Sequence, residues 1–447
     1  MTAPHVVVVG GGLAGLSAAI ACQDAGVRIT LLESRARLGG ATWSTERRGL
    51  VVDNGQHVFL RCCTAYRTFL RRLGVEDKVV LQPRLAVPVR EPGGRTSWIR
   101  RSALPAPAHL APSLLRFAPL GWSERLRAAR TVLRLRALDL ADPALDARRF
   151  GDWLRAQGEG DAAIDGFWDL LIRPTLNRPA REASLALAAK VFQTGLLTDA
   201  DGADLGWSAV PLQMLHADPA ERILREAGAD VRRRAKVTRL EPAAAGRHAA
   251  VWIGPERIAA DAVVLAVPHD AAAELLPAGG KVDPEGLAAL GTSPILNLHV
   301  VFDRPVLELP FVAALGSPLQ WIFDRTESAG LHGAQYLAVS ISAADAYEGL
   351  ATDELRAIFV RAFHELLPAS RGASLRDFFV TREPAATFRQ VPGTKPLRAG
   401  ADSGWPALAL AGAWTDTGWP ATMEGAVRSG RAAAQHTLDT LRRHAVH

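Results

Sequence analysis

Apolar positions along the chain repeat with two different periods, and the changes between them mark out the elements. Val6 to Val9 is an unbroken apolar run, the pattern of a parallel strand buried on both faces. It leads into Gly10-x-Gly12-x-x-Gly15 and an Ala-rich stretch, Leu13 to Ala25, that predicts a helix ended by Gly26. Val27 to Leu32 predicts a second strand with Glu33 at its tip, so His5 to Ser34 reads as a βαβ unit. Val51 to Leu60 predicts an extended segment around V-D-N-G-Q-H-V-F, residues Val52 to Phe59. From Ser97 to Gly195 the pattern turns helical, through Ser123 to Leu140, Asp152 to Leu154 and Phe167 to Leu171. Trp168 and Asp169 there read as core packing and surface charge, or as part of a substrate chamber. Pro211 to Ala227 predicts a helix leading past Gly228 to a strand from Asp230 to Leu240, and Asp261 to Pro268 predicts another buried strand. Ile295 to Phe302, Gln320 to Phe323, Tyr336 to Ser342 and Asp377 to Thr381 predict strands, with a helix from Asp353 to Leu367. The last elements are a strand at Ala407 to Ala411, a Gly/Trp loop and a helix from Met423 to about Arg443.

This order predicts an α/β fold in which a Rossmann-type nucleotide-binding domain is interrupted twice. Residues 1–96, 206–284 and 405–447 form its three parts; 97–205 form a helical insertion and 285–404 a mixed-sheet substrate domain. The length leaves room for two or three domains with a sizeable core.

Composition narrows the classes. The chain is 48% hydrophobic and 22% charged, as in a soluble globular protein. No basic-then-apolar leader opens it, and no run approaches the length of a membrane span. Cys22, Cys62 and Cys63 make no disulfide framework and no zinc spacing, which predicts a reduced, cytoplasmic setting and no metal. The net charge of +6 comes almost entirely from arginine, spread along the chain without the aromatic-interleaved module of a nucleic-acid binder.

The glycine turn carries the first chemistry. Gly10 permits the tight turn, Gly12 lets backbone approach a pyrophosphate, and Gly15 lets helix pack on strand. Leu13 and Ala14 open the helix whose N-terminal N–H groups face the phosphates. Glu33, twenty-three residues past Gly10, stands where an acid meets a ribose hydroxyl. Gly39 and Gly40 follow as a second glycine pair able to lie against the same cofactor. In A-G-A-W-T-D-T-G-W-P-A-T-M-E-G-A-V-R-S-G, from Ala411, a strand ends in glycine, a loop follows and a helix begins. That geometry offers N–H groups to a developing negative charge such as that on a reduced flavin, so FAD is expected rather than NAD.

These segments resemble the flavin-containing amine oxidase and carotenoid desaturase superfamily, and the resemblance covers nearly the whole chain. Within it, D-N-G-Q-H-V at Asp53, F-W-D-L-L at Phe167, T-L-N-R-P at Thr175, A-S-L-A-L at Ala183 and T-G-W-P-A-T-M-E-G-A-V-R-S-G at Thr417 are similar to the squalene-associated flavoproteins of bacterial hopanoid pathways. By position, the resemblance implies that Gly10, Gly12, Gly15 and Glu33, with Ser34 and Arg35 beside it, hold the ADP half. Val237 matches the position whose backbone meets the adenine, and Met423 the one whose N–H faces the flavin carbonyl. Gly412 and Gly418 match the lining of the ribityl and ring region, with Trp419 a contact to cofactor or substrate. Two positions depart from the family pattern: Ala41 stands where Gly-Gly-Arg has its arginine, and Ala413 where an acid is usual. Each lost charge-assisted contact costs on the order of 1.5–3 kcal/mol if unreplaced.

The resemblance implies reductive removal of the hydroxyl of hydroxysqualene, a C30 isoprenoid, giving squalene with electrons from an unidentified donor. Expelling that hydroxyl needs an acid or strong hydrogen-bond donor. Among the residues of V-D-N-G-Q-H-V-F, His57 is the candidate donor and Asp53 a second catalytic candidate; Gly55 and Gln56 are candidates for flavin contact. A structural turn remains an alternative for this loop. Rival readings are a carotenoid desaturase or isomerase, an amine oxidase walled by Trp414 and Trp419, and a non-catalytic weak FAD-binding scaffold. Trp98 to Leu140 mixes Arg with Leu, Trp and Phe, a pattern suited either to a plain amphipathic domain or to peripheral contact with the inner face of the membrane.

Overall fold

The computed structural model describes residues 3–243 and 248–445. Five parallel strands make the central sheet, in the order Asp230–Arg233, Arg28–Glu33, His5–Val9, Ala262–Leu265 and Leu408–Leu410. Every residue of His5–Val9 is buried, which explains its unbroken apolar run: both faces are covered. The helices Leu13–Asp24 and Met423–Ala445 cross against one another on the sheet. At their crossing a Cβ on Gly430 would stand 2.1 Å from the Ala14 carbonyl oxygen, and the Ser17 hydroxyl donates to the Val427 carbonyl.

The second sheet has seven strands, in the order Leu375–Phe388, Thr292–Phe302, Gln335–Ser342, Trp321–Asp324, Phe311–Ala314, Ala86–Arg90 and Thr96–Arg100. It is antiparallel except where Phe311–Ala314 runs parallel to Ala86–Arg90, so it is mixed, as the sequence predicts. The division expected at residue 97 falls inside the hairpin of Ala86–Arg90 and Thr96–Arg100. This hairpin escaped the sequence reading because Pro88 and flanking arginines blur its alternation; Pro88 is tolerated because the strand pairs with Phe311–Ala314 only through Val89 and Arg90.

Helices fill the insertion, from Trp122–Arg136 through Phe150–Ala156 and Asp169–Leu176 to Leu185–Phe192. Phe150, Trp168 and Phe192 pack edge-on at its centre. Trp168 is wholly enclosed and Asp169 is buried, with its carboxylate held by Arg173 and the Ala180 N–H. Both belong to the core; Asp169 is not the surface charge its pattern suggested. The strand expected at Asp230 to Leu240 divides in two: Asp230–Arg233 joins the central sheet, while Arg239–Glu241 joins a separate three-stranded one with Ala249–Ile253 and Glu256–Ala260. Among the described residues no helix is long and apolar enough to cross a membrane.

Candidate cofactor site and active-site loop

The glycine turn sits at the carboxyl end of the first strand, where an open parallel sheet receives its ligand. Gly10 takes a positive φ of 105°, and a Cβ on Gly15 would stand 1.9 Å from the Gly10 carbonyl oxygen. Any side chain at Gly15 would therefore push the helix off the strand. Leu13 and Ala14 are buried at the start of that helix. Glu33 accepts from the Gly11 N–H at 2.8 Å and the Arg35 N–H at 2.7 Å, with the Ser34 hydroxyl at 3.2 Å. A carboxylate has about four acceptor positions, so one is left for a ribose hydroxyl.

The second glycine pair lies against the first turn itself. Gly39 donates to the Gly11 carbonyl at 2.8 Å, and a Cβ on Gly40 would stand 2.7 Å from the Gly12 Cα. Val237 is buried two residues beyond Ala235, whose N–H donates to the Glu33 carbonyl, so it reaches the same end of the sheet. At the C-terminal segment the Ser429 hydroxyl accepts from the Gly412 N–H, and the Trp414 indole would meet a Cβ on Gly412 at 2.3 Å. Gly418 has open space around it, and Met423 begins the long helix, capped by the Thr422 hydroxyl accepting from the Gly425 N–H.

In the V-D-N-G-Q-H-V-F loop, Asp53 and Gly55 have partners other than those expected of them. Asp53 is buried, and its Oδ1 accepts from the Ser44 hydroxyl at 2.7 Å and the Leu212 N–H at 2.9 Å. Its Oδ2 faces Arg325 at 3.3 Å, and Arg325 in turn donates to the Ser208 and Val210 carbonyls. Asp53 is thus committed to tying three segments together and has no free face for catalysis. Gly55 does approach something closely, but it is the Asn297 side chain: a Cβ there would meet the amide atoms at 2.8–2.9 Å. Asn297 donates to the Asn54 carbonyl at 2.7 Å, and the Gln56 N–H donates to the Ser340 hydroxyl. The loop is therefore pinned to the seven-stranded sheet.

His57 remains next to this junction, and burial pushes its imidazole down to about 4. That favours the uncharged ring near neutral pH, which donates a hydrogen bond through its N–H. His216 lies close enough to oppose a charge on it, and burial followed by His57 lowers His216 to about 3. The His216 Nε2 meets the Tyr66 hydroxyl at 2.7 Å.

Sequence reasoning missed three neighbours of these segments: Arg37, Lys190 and Arg428. Arg37 stacks 3.9 Å over Trp43 with its Nε buried and unpartnered, and it supplies a guanidinium four residues before Ala41. Lys190, on the insertion, lies 5.4 Å from the Trp419 ring, while Arg428 covers the same ring at 4.9 Å. Arg428 is neutralised by Glu424 at 2.6 Å; Lys190 has no ion pair among the described residues. Burial, then Arg428, lowers the Lys190 ammonium from its usual value. Lys190 and Trp419 are more than two hundred positions apart, and no local pattern signals their meeting. Trp414, expected as a wall, is buried and donates to the Val267 carbonyl, which makes it packing.

Two further buried polar atoms in the expected cofactor segments, Gln56 Nε2 and Thr417 Oγ1, have no partner within the protein. Together with the spare acceptor of Glu33 and the open Gly418, they fit a dinucleotide bearing a polar ring system. Residues 13–438 match the family described as Flavin containing amine oxidoreductase. The chain belongs to that family. Members of the flavin containing amine oxidoreductases with curated names extend the match to full length. Hydroxysqualene dehydroxylase of Sinorhizobium fredii is 29% identical over 97% of this chain and 98% of its own. The 15-cis-phytoene desaturase of Narcissus pseudonarcissus is 26% identical over 96% of this chain and 79% of its own. Among solved structures, a double mutant of putrescine oxidase superposes with a TM-score of 0.75 at 20% identity, covering 98% and 99% of the two chains. The family's flavin is FAD, and the protein is an FAD-dependent oxidoreductase.

Proposed function

We propose that this oxidoreductase removes the hydroxyl of hydroxysqualene reductively, giving squalene. The observation that carries the reading is likeness along the whole chain to proteins named hydroxysqualene dehydroxylase, at 28–29% identity in three bacteria. In the reaction an allylic C–O bond breaks, carbon gains a hydride, and oxygen leaves as water after taking a proton that comes from solvent. Bound FAD, once reduced, supplies the hydride. Gly10, Gly12, Gly15 and Glu33 would hold its ADP half with Ser34 and Arg35, Gly39 and Gly40 closing over the turn, and Val237 the adenine. Gln56, Gly412, Gly418 and Met423 would face the ring and ribityl chain.

This chain's own residues set the conditions at the reacting carbon. Neutral His57 holds the hydroxyl through its ring N–H, an orientation role for which charge is not required. Asn297 and Ser340 fix the loop that carries it. A C30 hydrocarbon needs a long apolar chamber, and the apolar residues where the insertion meets the sheet, around Leu60, Leu110 and Leu114, are of the kind that would line one. Lys190 beside Trp419 speaks against an amine substrate, because a second ammonium beside that ring meets like charge. The donor that reduces the flavin is a separate molecule, and we place the reaction on the cytoplasmic side of a membrane that stores the substrate.

The test is direct. Purified protein is reduced with dithionite under argon and mixed with hydroxysqualene, and products are resolved by gas chromatography. Squalene formed in step with flavin reoxidation supports the reading; unchanged hydroxysqualene, with phytoene desaturated instead in a parallel incubation of the oxidised flavoprotein and a quinone acceptor, transfers it to the carotenoid class.

A further inference from the structure

The helix Trp122–Arg136 presents an uncommon outer face. Trp122, Leu126 and Leu133 are 67%, 53% and 57% exposed, while Ala128, Thr131 and Leu135 are buried on the opposite side. Positions 122, 126, 130 and 133 are spaced to form one stripe, so Arg130 stands within the apolar row. Leu115, at the end of the preceding helix Ala111–Leu115, and Leu104 extend the exposed apolar surface along the chain. Of the ten large hydrophobic side chains exposed among the described residues, five therefore fall between 104 and 133. An isolated exposed leucine needs no explanation, but such a concentration does.

Charge identifies the partner. Residues 111–138 carry six arginines (116, 125, 127, 130, 134 and 136) against one acid, Glu124, whose carboxylate is spent on the Gly121 N–H. Among the described residues none of the six forms an ion pair, although arginines elsewhere in the chain are widely paired. Arg125 stacks on Trp122 instead and donates to the Leu115 and Leu120 carbonyls. An apolar row edged by unpaired guanidinium groups complements a surface that is oily within and anionic at its rim.

We propose that the face formed by 104–136 docks on an acidic phospholipid bilayer, with Trp122, Leu126 and Leu133 entering the headgroup boundary. Behind this face, Leu110 and Leu114 pack on the same apolar cluster as Leu60, which lies three residues beyond His57. Docking there sets the bilayer at one end of an apolar connection to the active-site loop. This role in substrate delivery rests on the dehydroxylase reading; the docking does not.

The test uses the full-length flavoprotein and vesicles of phosphatidylcholine alone or mixed with phosphatidylglycerol, separated by flotation. Wild type is expected to float with the mixed vesicles and much less with the neutral ones. Trp122→Ser/Leu126→Ser/Leu133→Ser is expected to lower the partition coefficient by about tenfold or more. Arg130→Gln and Arg134→Gln are expected to lower it about fivefold each. Ile358→Ser, at an exposed site on another helix, serves as the control and should leave flotation unchanged. Melting temperature and flavin spectrum confirm that each variant is folded. Wild type that fails to float with either vesicle overturns the proposal, as does a triple serine variant that floats like wild type. A dimer in solution that the triple variant dissolves would assign the face to a second copy of the chain and also overturn it. Flotation without dehydroxylation would uphold the docking and sink only the delivery role.

Discussion

Burial holds His57 at about 4, and that value sets what the side chain can do. His57→Ala is expected to retain FAD and lose about 10²-fold in the single-turnover rate of flavin reoxidation by hydroxysqualene. Were protonated His57 the acid, the rate would climb as pH falls toward 4; the neutral role predicts no such limb between pH 5 and 8. Asp53 calls for a different experiment. Asp53→Asn leaves Arg325 buried without its counter-charge and is expected to destabilise the fold by about 3–5 kcal/mol in urea titrations. A variant with unchanged stability but abolished turnover would restore Asp53 to catalysis. His299 is stacked on Phe379 at 4.6 Å and bonded to Tyr336 and Thr381, and burial lowers it to about 3. Each such histidine binds fewer protons folded than unfolded between its lowered value and 6.5. Stability therefore rises with pH across that window, and the melting temperature is expected to fall as pH drops from about 6.5 toward 4. His299→Gln should flatten that fall, measured by calorimetry.

Among the elements, the pairing of Leu13–Asp24 with Met423–Ala445 sets where Met423 stands. Gly430 permits that pairing because the Ala14 carbonyl occupies the space a side chain would need. Gly430→Val is expected to cost about 1–3 kcal/mol and to weaken FAD retention on gel filtration, because the displaced helix carries its N-terminus away from the ring. These two helices, and the strands they cover, were legible in the sequence: continuous apolar runs and glycine punctuation are local signals. The V-D-N-G-Q-H-V-F loop was legible only as a place. What Asp53 and Gly55 do there depends on Arg325 and Asn297, more than two hundred residues away, and no periodicity encodes such a partner. The hairpin at 86–100 and the short strands at 249–260 were hidden for a related reason. Each buries only three consecutive residues, Val87 to Val89 and Ala249 to Val251, a run too short to show a period.

For the molecule as a whole, the expected cofactor segments come from three separate stretches of chain, so one ligand ties together parts that the sequence keeps apart. Added FAD is expected to raise the melting temperature, by an amount equivalent to about 2.7 kcal/mol when free FAD stands at ~100 times its dissociation constant. The size of that shift also measures how far Arg37 compensates for Ala41, since Arg37→Ala should reduce it. The fold class and the two interruptions of the Rossmann domain were readable because each return to the sheet is a short apolar strand bounded by glycine or proline. The segment Trp98 to Leu140 was readable as basic and apolar, but which residues of Trp122–Arg136 face outward was not, because their spacing resembles that of a core-facing helix. Finally, the outermost strand of the central sheet, Leu408–Leu410, pairs with Ala262–Leu265 and is followed by the helix that crosses the first one. During synthesis a ribosome must deliver more than four hundred residues before that edge can be closed. The helical insertion, complete by then, can fold early as a unit, whereas the nucleotide-binding half must wait with its edge unpaired. The waiting edge is where chaperone dependence should be sought.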